Sequence, residues 1–570
     1  MTRILTNIMA LGLMAFIFSC SPKEQTPKAD QLIVNAKVVT MDSENPEATA
    51  FAVKDGKFIY VGDVKGAEQF IGPKTKKVDL NGQFVSPGLI DSHLHLAGVG
   101  LKKIDLDLSP ISNYDQMVEM VRVAVSKAEK GEWIVGRGWH QDKWDKKPEK
   151  TVEGMPVHNR MSEVSPDNPV FLRHASGHAG IANAEAMRIA NVEALLAKEG
   201  QPEGGEVTLD EKGNATGLFN ENAMNMIMRH IPEKSASKTR KALRLGMEEC
   251  LSNGITAVMD AGIGPDMISQ YRQLRKSDSL RVRVWAMLDG ENDALLEKWF
   301  ANGPMNDSAS WFTLRSVKLY ADGALGSRGA WLLNEYEDQP GHTGHALRPM
   351  KEIGEIAEKG LESGFQICTH AIGDRANREV LDQYENALGN RAKTVDHRFR
   401  IEHAQHLTNK DIPRFAALGV IPAMQGIHMA SDRPWAIDRL GEDRIKEGAY
   451  VWKKLLASGA RVANGTDSPI EPVSPIECFY ASVSRKTLKG KPEKGYEPSQ
   501  RMSRIEALRS YTLDAAYALF AEKRIGSIEV GKLADFTVFD TDLVRADESK
   551  LLDAKVKMTV VGGEVLYGAK

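Results

Sequence analysis

Six side chains in this 570-residue chain have the chemistry of cation ligands and recur at comparable places in its pattern. His93 and His95 stand two apart at the end of an apolar, β-branched run, FVSPGLIDSHLHL (84–96). Residues i and i+2 of a strand point to one face, so both imidazoles can reach a single ion. Lys318, His370, His403 and Asp467 lie on or at the C-terminal ends of later runs of the same character. Imidazole and carboxylate together suit zinc and its divalent neighbours. Singly, each has a bland reading. A lone strand histidine is usually structural, Asp467-Ser468-Pro469 would suit a helix cap, and Lys318 would pair with Asp322. Together, in this order at strand ends, they read as a metal centre.

The elements that must position them alternate. Strands are predicted at 84–96, 254–261, 281–289, 314–322, 364–371, 398–405, 419–425 and 460–467, with helical segments such as ASKTRKALRLGMEECLSN and MKEIGEIAEKGLESG between them. Alternating strands and helices over this length predict an α/β fold, a parallel (β/α)8 barrel whose active site lies at the C-terminal ends of its strands. A doubly wound open sheet would show a Gly-rich phosphate loop after its first strand, and none is present. The barrel is assigned to 87–524, with 100–235 as an insertion holding an amphipathic helix (114–130), the short strands WIVGRG and PVFLRHA, and polar loops. Residues 31–86 and 525–570 read as short strands with turns such as Asp55-Gly56 and Asn81-Gly82, which predicts one small β-sandwich built from both termini.

The N-terminus has its own signature. A positive start (Met1-Thr2-Arg3), an apolar stretch from Ile8 to Phe18 and the sequence Phe18-Ser19-Cys20 read as a signal peptide over 1–19 with a lipoprotein-type Cys20. Residues 20–30 follow as a polar tether. The expectation is an exported protein anchored to a bacterial membrane, periplasmic or at the cell surface, through a lipid on Cys20. The remaining Cys250, Cys368 and Cys478 are odd in number and far apart, so no disulfide framework is expected. A net charge of −3 supplies no basic field for nucleic acid. The sequence leaves open whether the chain forms a homo-oligomer.

The motifs PGLIDSHLHLAG (87–98), GRGWHQDKW (136–144), RHASGHAGIAN (173–183), VKLYADGALGSRGAWL (317–332), THAIGDRAN (369–377), RIEHAQ (400–405), GTDSP (465–469) and GKLADFTVFD (531–540) resemble the amidohydrolase superfamily. Within it, they are similar to the family-3 group of YtcJ-like metal-dependent hydrolases, over roughly residues 31–570. The resemblance implies that His93, His95 and Asp467 hold one divalent ion and His370 and His403 a second. Lys318, carboxylated by CO2, would bridge them. Should Lys318 stay a free amine, a single ion on His93, His95, His370 and Asp467 is the alternative. Ions about 3.5–4 Å apart can share a water and make it a hydroxide near neutral pH. Asp467 would then shuttle the proton to the leaving nitrogen.

The function expected is hydrolysis of an amide-type carbon–nitrogen bond, N-substituted or cyclic, in a small-molecule substrate. The competing readings are a single-metal deaminase acting on a ring C=N and a non-catalytic, surface-tethered binding protein. Arg328 in the DGALGSRGA loop, its neighbour Asp322, and Trp139 and His178 from the insertion are the expected substrate-binding residues. His140 is a further candidate for the pocket wall; His342 and His345 read as loop residues.

Overall fold

The computed structural model describes residues 26–233 and 235–568; the leader and Cys20 lie outside them. Among the described residues no helix is long and apolar enough to cross a membrane. The fold begins slightly inside the expected tether, because Ala29 is already buried and its N–H donates to the Phe70 carbonyl at 2.8 Å.

Eight parallel strands form the central sheet: β1 (Leu89–Leu94), β2 (Ile255–Ile263), β3 (Arg283–Asp289), β4 (Phe312–Tyr320), β5 (Gln366–Ala371), β6 (Arg400–His403), β7 (Ile421–Met424) and β8 (Ala463–Asn464). They follow one another in sequence order across the sheet. The edges β8 and β1 are stitched by side chains and main chain. The Ser92 hydroxyl donates to the Asn464 carbonyl at 2.8 Å, and the Asp467 N–H donates to the His93 carbonyl at 2.8 Å. The result is a nearly closed barrel, as the alternating pattern predicts. Its strands are near-continuous apolar runs because both faces are covered.

The helices between strands obey their own pattern. Ala236–Ser252 begins at Ser235, whose hydroxyl accepts from the Lys238 N–H at 3.1 Å. It buries Ala242, Leu243, Gly246, Met247, Cys250 and Leu251, the i, i+4, i+8 stripe of a one-sided helix. A short helix, Leu96–Leu101, lies against it at backbone contact. A Cβ on Gly100 would stand 1.8 Å from the Ala242 carbonyl oxygen, so only glycine permits the approach. This packing fixes the chain as it leaves β1, and so fixes His95.

One predicted strand divides. The run 84–96 is two strands: Phe84–Pro87 joins the terminal β-structure, Leu89–Leu94 enters the barrel, and Gly88 turns the chain between them. The terminal structure itself has two sheets. One has four strands drawn from residues 31–79; the other has six and combines residues 37–87 with 536–568. A shared core of Ile33, Phe51, Phe58, Val85, Phe536, Val538 and Val560 lies between them. Asp55 and Gly56 both have positive φ (50° and 71°), as their hairpin turn demands. The sandwich is pinned to the barrel by a buried pair. Arg283 of β3 donates to Asp535 through Nε at 2.7 Å and Nη2 at 2.9 Å.

The insertion is more ordered than its sequence suggests. Its helix runs Tyr114–Val125, shorter than the 114–130 expected, and it contains a six-stranded mixed sheet. Three of those strands, Ala179–Ala182, Gly205–Leu209 and Ala215–Glu221, fall where polar loops were expected. The last two form a hairpin around Lys212-Gly213, and the apolar side chains of Val207 and Phe219 pack inward.

Candidate metal centre

His93, His95, Lys318, His370, His403 and Asp467 converge at the C-terminal mouth of the barrel. Asp467 is the hub. Its Oδ1 lies 3.6 Å from His93 Nε2 and 3.5 Å from His95 Nε2, while its Oδ2 lies 3.9 Å from His403 Nδ1. Lys318 Nζ stands 3.4 Å from His93 Nε2. The rings of His370 and His403 are 4.5 Å apart, and those of His93 and His403 4.9 Å. Both His403 and Asp467 adopt left-handed backbone, φ 74° and 54°, a conformation that non-glycine residues keep only where their surroundings enforce it.

Each donor is aimed by a second layer of groups. His93 Nδ1 hydrogen-bonds to Glu402, which also accepts from Arg400 Nε at 2.7 Å and Nη2 at 2.9 Å. This leaves the His93 Nε2 lone pair to the centre. His95 Nδ1 donates to the Ala261 carbonyl at 3.0 Å, and His403 Nδ1 to Gln425 Oε1 at 2.8 Å, with the same consequence. His370 Nε2 lies 3.5 Å from Asp322 Oδ1 without a hydrogen bond and is buried without any partner. Asp91 holds Thr466, accepting from its hydroxyl at 2.6 Å and its N–H at 3.0 Å, and so sets the backbone that presents Asp467.

The electrostatics favour a cation. Burial pulls His93 down to about 4, with the Lys318 charge acting in the same direction, and burial takes His370 and His403 well below their ordinary value. The imidazoles are therefore neutral, with lone pairs available. Burial alone would raise Asp467, but the contact with His95 leads the interactions that outweigh it, and the carboxyl lies well below its ordinary value. Asp467 Oδ1 is nevertheless buried without a hydrogen-bond partner, the signature of a site completed by something other than protein. Burial also lowers Lys318, and its expected partner Asp322 is engaged elsewhere. The donor set fits divalent metal.

One residue that sequence reasoning did not single out belongs here. His428, on the helix after β7, places Nε2 3.9 Å from Asp467 Oδ2, and His403, His428 and Asp467 form a second group able to converge on an ion. Gln405 Nε2 lies 2.8 Å from His428 Nδ1, which turns Nε2 toward the site. A single histidine in a helical run gives no sequence signal for this.

The expected substrate residues separate. His178 lines the cavity over the centre, its ring 4.8 Å from that of His370, with Nδ1 2.7 Å from Glu221 Oε2. Burial lowers His178, and Glu221 more than offsets it. The glycines of the DGALGSRGA loop serve this dyad: a Cβ on Gly323 or Gly329 would stand 1.9 or 2.1 Å from Glu221 Oε1. His140 also lines the cavity. The other three do not reach it. Asp322 is buried and accepts from the N–H groups of Trp331 (2.9 Å), Ile372 (2.9 Å) and Gly373 (2.7 Å), which ties the loops after β4 and β5 together. It is fully buried and has no surface for substrate. Trp139 is fully buried in the insertion core, its indole N–H donating to the Leu172 carbonyl at 2.9 Å. Arg328 is committed to Asp338, through Nε at 3.2 Å and Nη2 at 2.9 Å. Cys250, Cys368 and Cys478 are buried and free.

A parallel barrel presenting histidines, a lysine and an aspartate at its strand ends defines the class of barrel hydrolases. Residues 76–567 match the amidohydrolase family, and the chain belongs to that family, as a hydrolase of carbon–nitrogen bonds. It is 33% identical to the protein LONG AFTER FAR-RED 3 of Arabidopsis thaliana over 99% of this chain and 97% of that one. It is 28% identical to an N-substituted formamide deformylase of Arthrobacter pascens, covering 95% and 99%. An uncharacterized metal-dependent hydrolase of Pyrococcus furiosus superposes with a TM-score of 0.70 at 28% identity, covering 90% of this chain and all of that one.

Proposed function

We propose that this chain hydrolyses an amide-type bond of a small molecule, N-substituted or cyclic, using two divalent ions, most simply zinc. His93, His95 and Asp467 would hold one ion, His370 and His403 the other, and a carboxylated Lys318 would join them. The single observation that carries this reading is Asp467, whose two carboxylate oxygens face separate histidine groups while Oδ1 lacks a protein partner. The likeness to a formamide deformylase supports the amide class of substrate. When bound, the ions supply Lewis-acid polarisation of a carbonyl and a more acidic water.

The chain's own residues supply the rest. Asp467 takes a proton from the attacking water and returns it to the leaving nitrogen. His178, oriented by Glu221, donates from Nε2 to a substrate oxygen. The cavity above the centre, about 60 Å³, has room for roughly two waters. Export through a Cys20 lipid anchor is part of the proposal and rests on the sequence pattern alone.

Elemental analysis together with hydrolysis of a panel of N-formyl and N-acyl amines tests the function. The expected result is about two ions per chain and turnover that chelation abolishes. Full activity in protein stripped of divalent ions would refute it.

A further inference from the structure

Beside the small cavity over the metal centre lies a larger one, about 530 Å³, between the insertion sheet and the barrel. Two arginines line it. Arg137 and Arg173 sit on neighbouring parallel strands, Ile134–Trp139 and Val170–His174, and are direct register partners. Val135 and Phe171, two residues earlier on the same strands, line the same cavity, so this face of the sheet looks into it.

Two adjacent guanidiniums of like sign call for a counter-charge, and Asp467 and Asp107 favour the Arg137 charge only from beyond ion-pair distance. No carboxylate of the described residues pairs with either. Each spends one N–H on a backbone carbonyl: Arg137 Nη2 on Ala175 at 3.2 Å and Arg173 Nη2 on Gly177 at 2.7 Å. The Nε of each is buried with no hydrogen-bond partner. The neighbouring lysines differ, since Lys238 is 2.7 Å from Asp105 and Lys102 3.7 Å from Asp107. Burial, followed by the Arg173 charge, pushes Arg137 down to about 9, as expected of a cation whose partner is absent. Glu132 also lines the cavity, but its carboxylate accepts from the Glu129 N–H.

The pair is close to the chemistry. Ala175, whose carbonyl takes Arg137, lines the cavity over the metal centre. A Cβ on Gly177 would stand 3.4 Å from Ile470 of that cavity and 3.5 Å from Arg173 Nη2. Asp467 is near enough to favour the Arg137 charge. Of the two spaces, the one lined by the arginines is the roomier.

We propose that Arg137 and Arg173 form an anion subsite that receives a carboxylate or phosphate group carried by the substrate, so that the preferred substrates are anionic amides. This deepens the hydrolase reading and rests on it for the word substrate. The subsite itself can be tested without turnover.

The test is calorimetric titration of the metal-loaded full chain with inorganic phosphate and, separately, with succinate. Wild type, Arg137→Gln, Arg173→Gln, Arg173→Lys and Lys102→Gln are compared, each with metal content and melting temperature recorded. Wild type and Lys102→Gln should bind alike. Each glutamine variant should bind about tenfold or more weakly with its metals retained, because a charge-assisted hydrogen bond is lost. Arg173→Lys should fall between, since it keeps the charge and loses the planar fork. Equal binding by all five proteins would place the anion on the metals and overturn the subsite, as would a wild type without saturable binding. A wild type that binds phosphate through the arginines yet hydrolyses no amide would sink the hydrolase reading and leave the subsite standing.

Discussion

Replacing Glu402 with glutamine isolates what holds His93 in place. The Glu402 carboxylate is fully buried, hydrogen-bonds to His93 Nδ1 and accepts twice from Arg400. Arg400 is equally buried, and besides Glu402 it donates to the Ser92 carbonyl at 2.7 Å. Glutamine keeps the shape but offers one oxygen for two donors and turns an N–H2 toward the other. It also strips the Arg400 charge of its counter-ion. Breaking a buried pair from one side costs about 3–5 kcal/mol, and the retained Ser92 contact argues for the lower end. The loss of His93 orientation should weaken metal binding by a further factor of about 10–100.

The pH dependence follows from the same pair. Burial raises Glu402, but the Arg400 charge and His93 outweigh it and hold the folded-state carboxyl well below its ordinary value. A depressed folded pKa means that the wild-type advantage is fully present above the unfolded carboxyl value, about 4.3, and is lost as pH falls toward the folded value. Urea denaturation followed by tryptophan fluorescence at pH 7 and in acid, with zinc titration of the refolded proteins, reads both effects. The wild-type and Glu402→Gln curves should be well separated at pH 7 and converge in strong acid. Equal urea midpoints at pH 7 together with equal zinc affinity would refute the assigned role.

Three further outcomes are expected. His95→Ala and Asp467→Asn should each abolish hydrolysis while circular dichroism and melting temperature stay near wild type; near-normal turnover in either would remove the residue from the centre. On the two-ion proposal, Lys318→Ala should bind one ion fewer and recover part of its activity with formate or acetate, whose carboxylate would stand in for a carbamate, and failure of rescue counts against a bridging lysine. Asp535→Ala should destabilise the protein by about 3–5 kcal/mol through the stranded Arg283 without changing metal affinity, as measured by urea unfolding and zinc titration.

The barrel was legible because its strands are buried on both sides and therefore appear as unbroken apolar runs, which polar helices then separate. The donor residues were legible for the same reason. A histidine or lysine inside such a run has no solvent to face, so its presence at the end of strand after strand demands a shared partner. The insertion failed this test in both directions. Strand Ala215–Glu221 reads ATGLFNE; Leu218 and Phe219 pack on opposite faces, so neither an alternation nor an apolar run marks the strand, nor Glu221, the residue that aims His178. Trp139 is expected at the pocket wall, but the bulge at Gly138 sends its ring into the insertion core beside Ile134. Arg137, before that bulge, keeps the face of Val135 and looks toward the barrel. Arg328 failed for a different reason: its counter-ion Asp338 lies ten residues on, in a loop whose path no periodicity records. Sequence period thus decides which face a residue occupies only where the strand is regular. At bulges and loops the long-range charge partner decides, and that is information the linear chain does not carry.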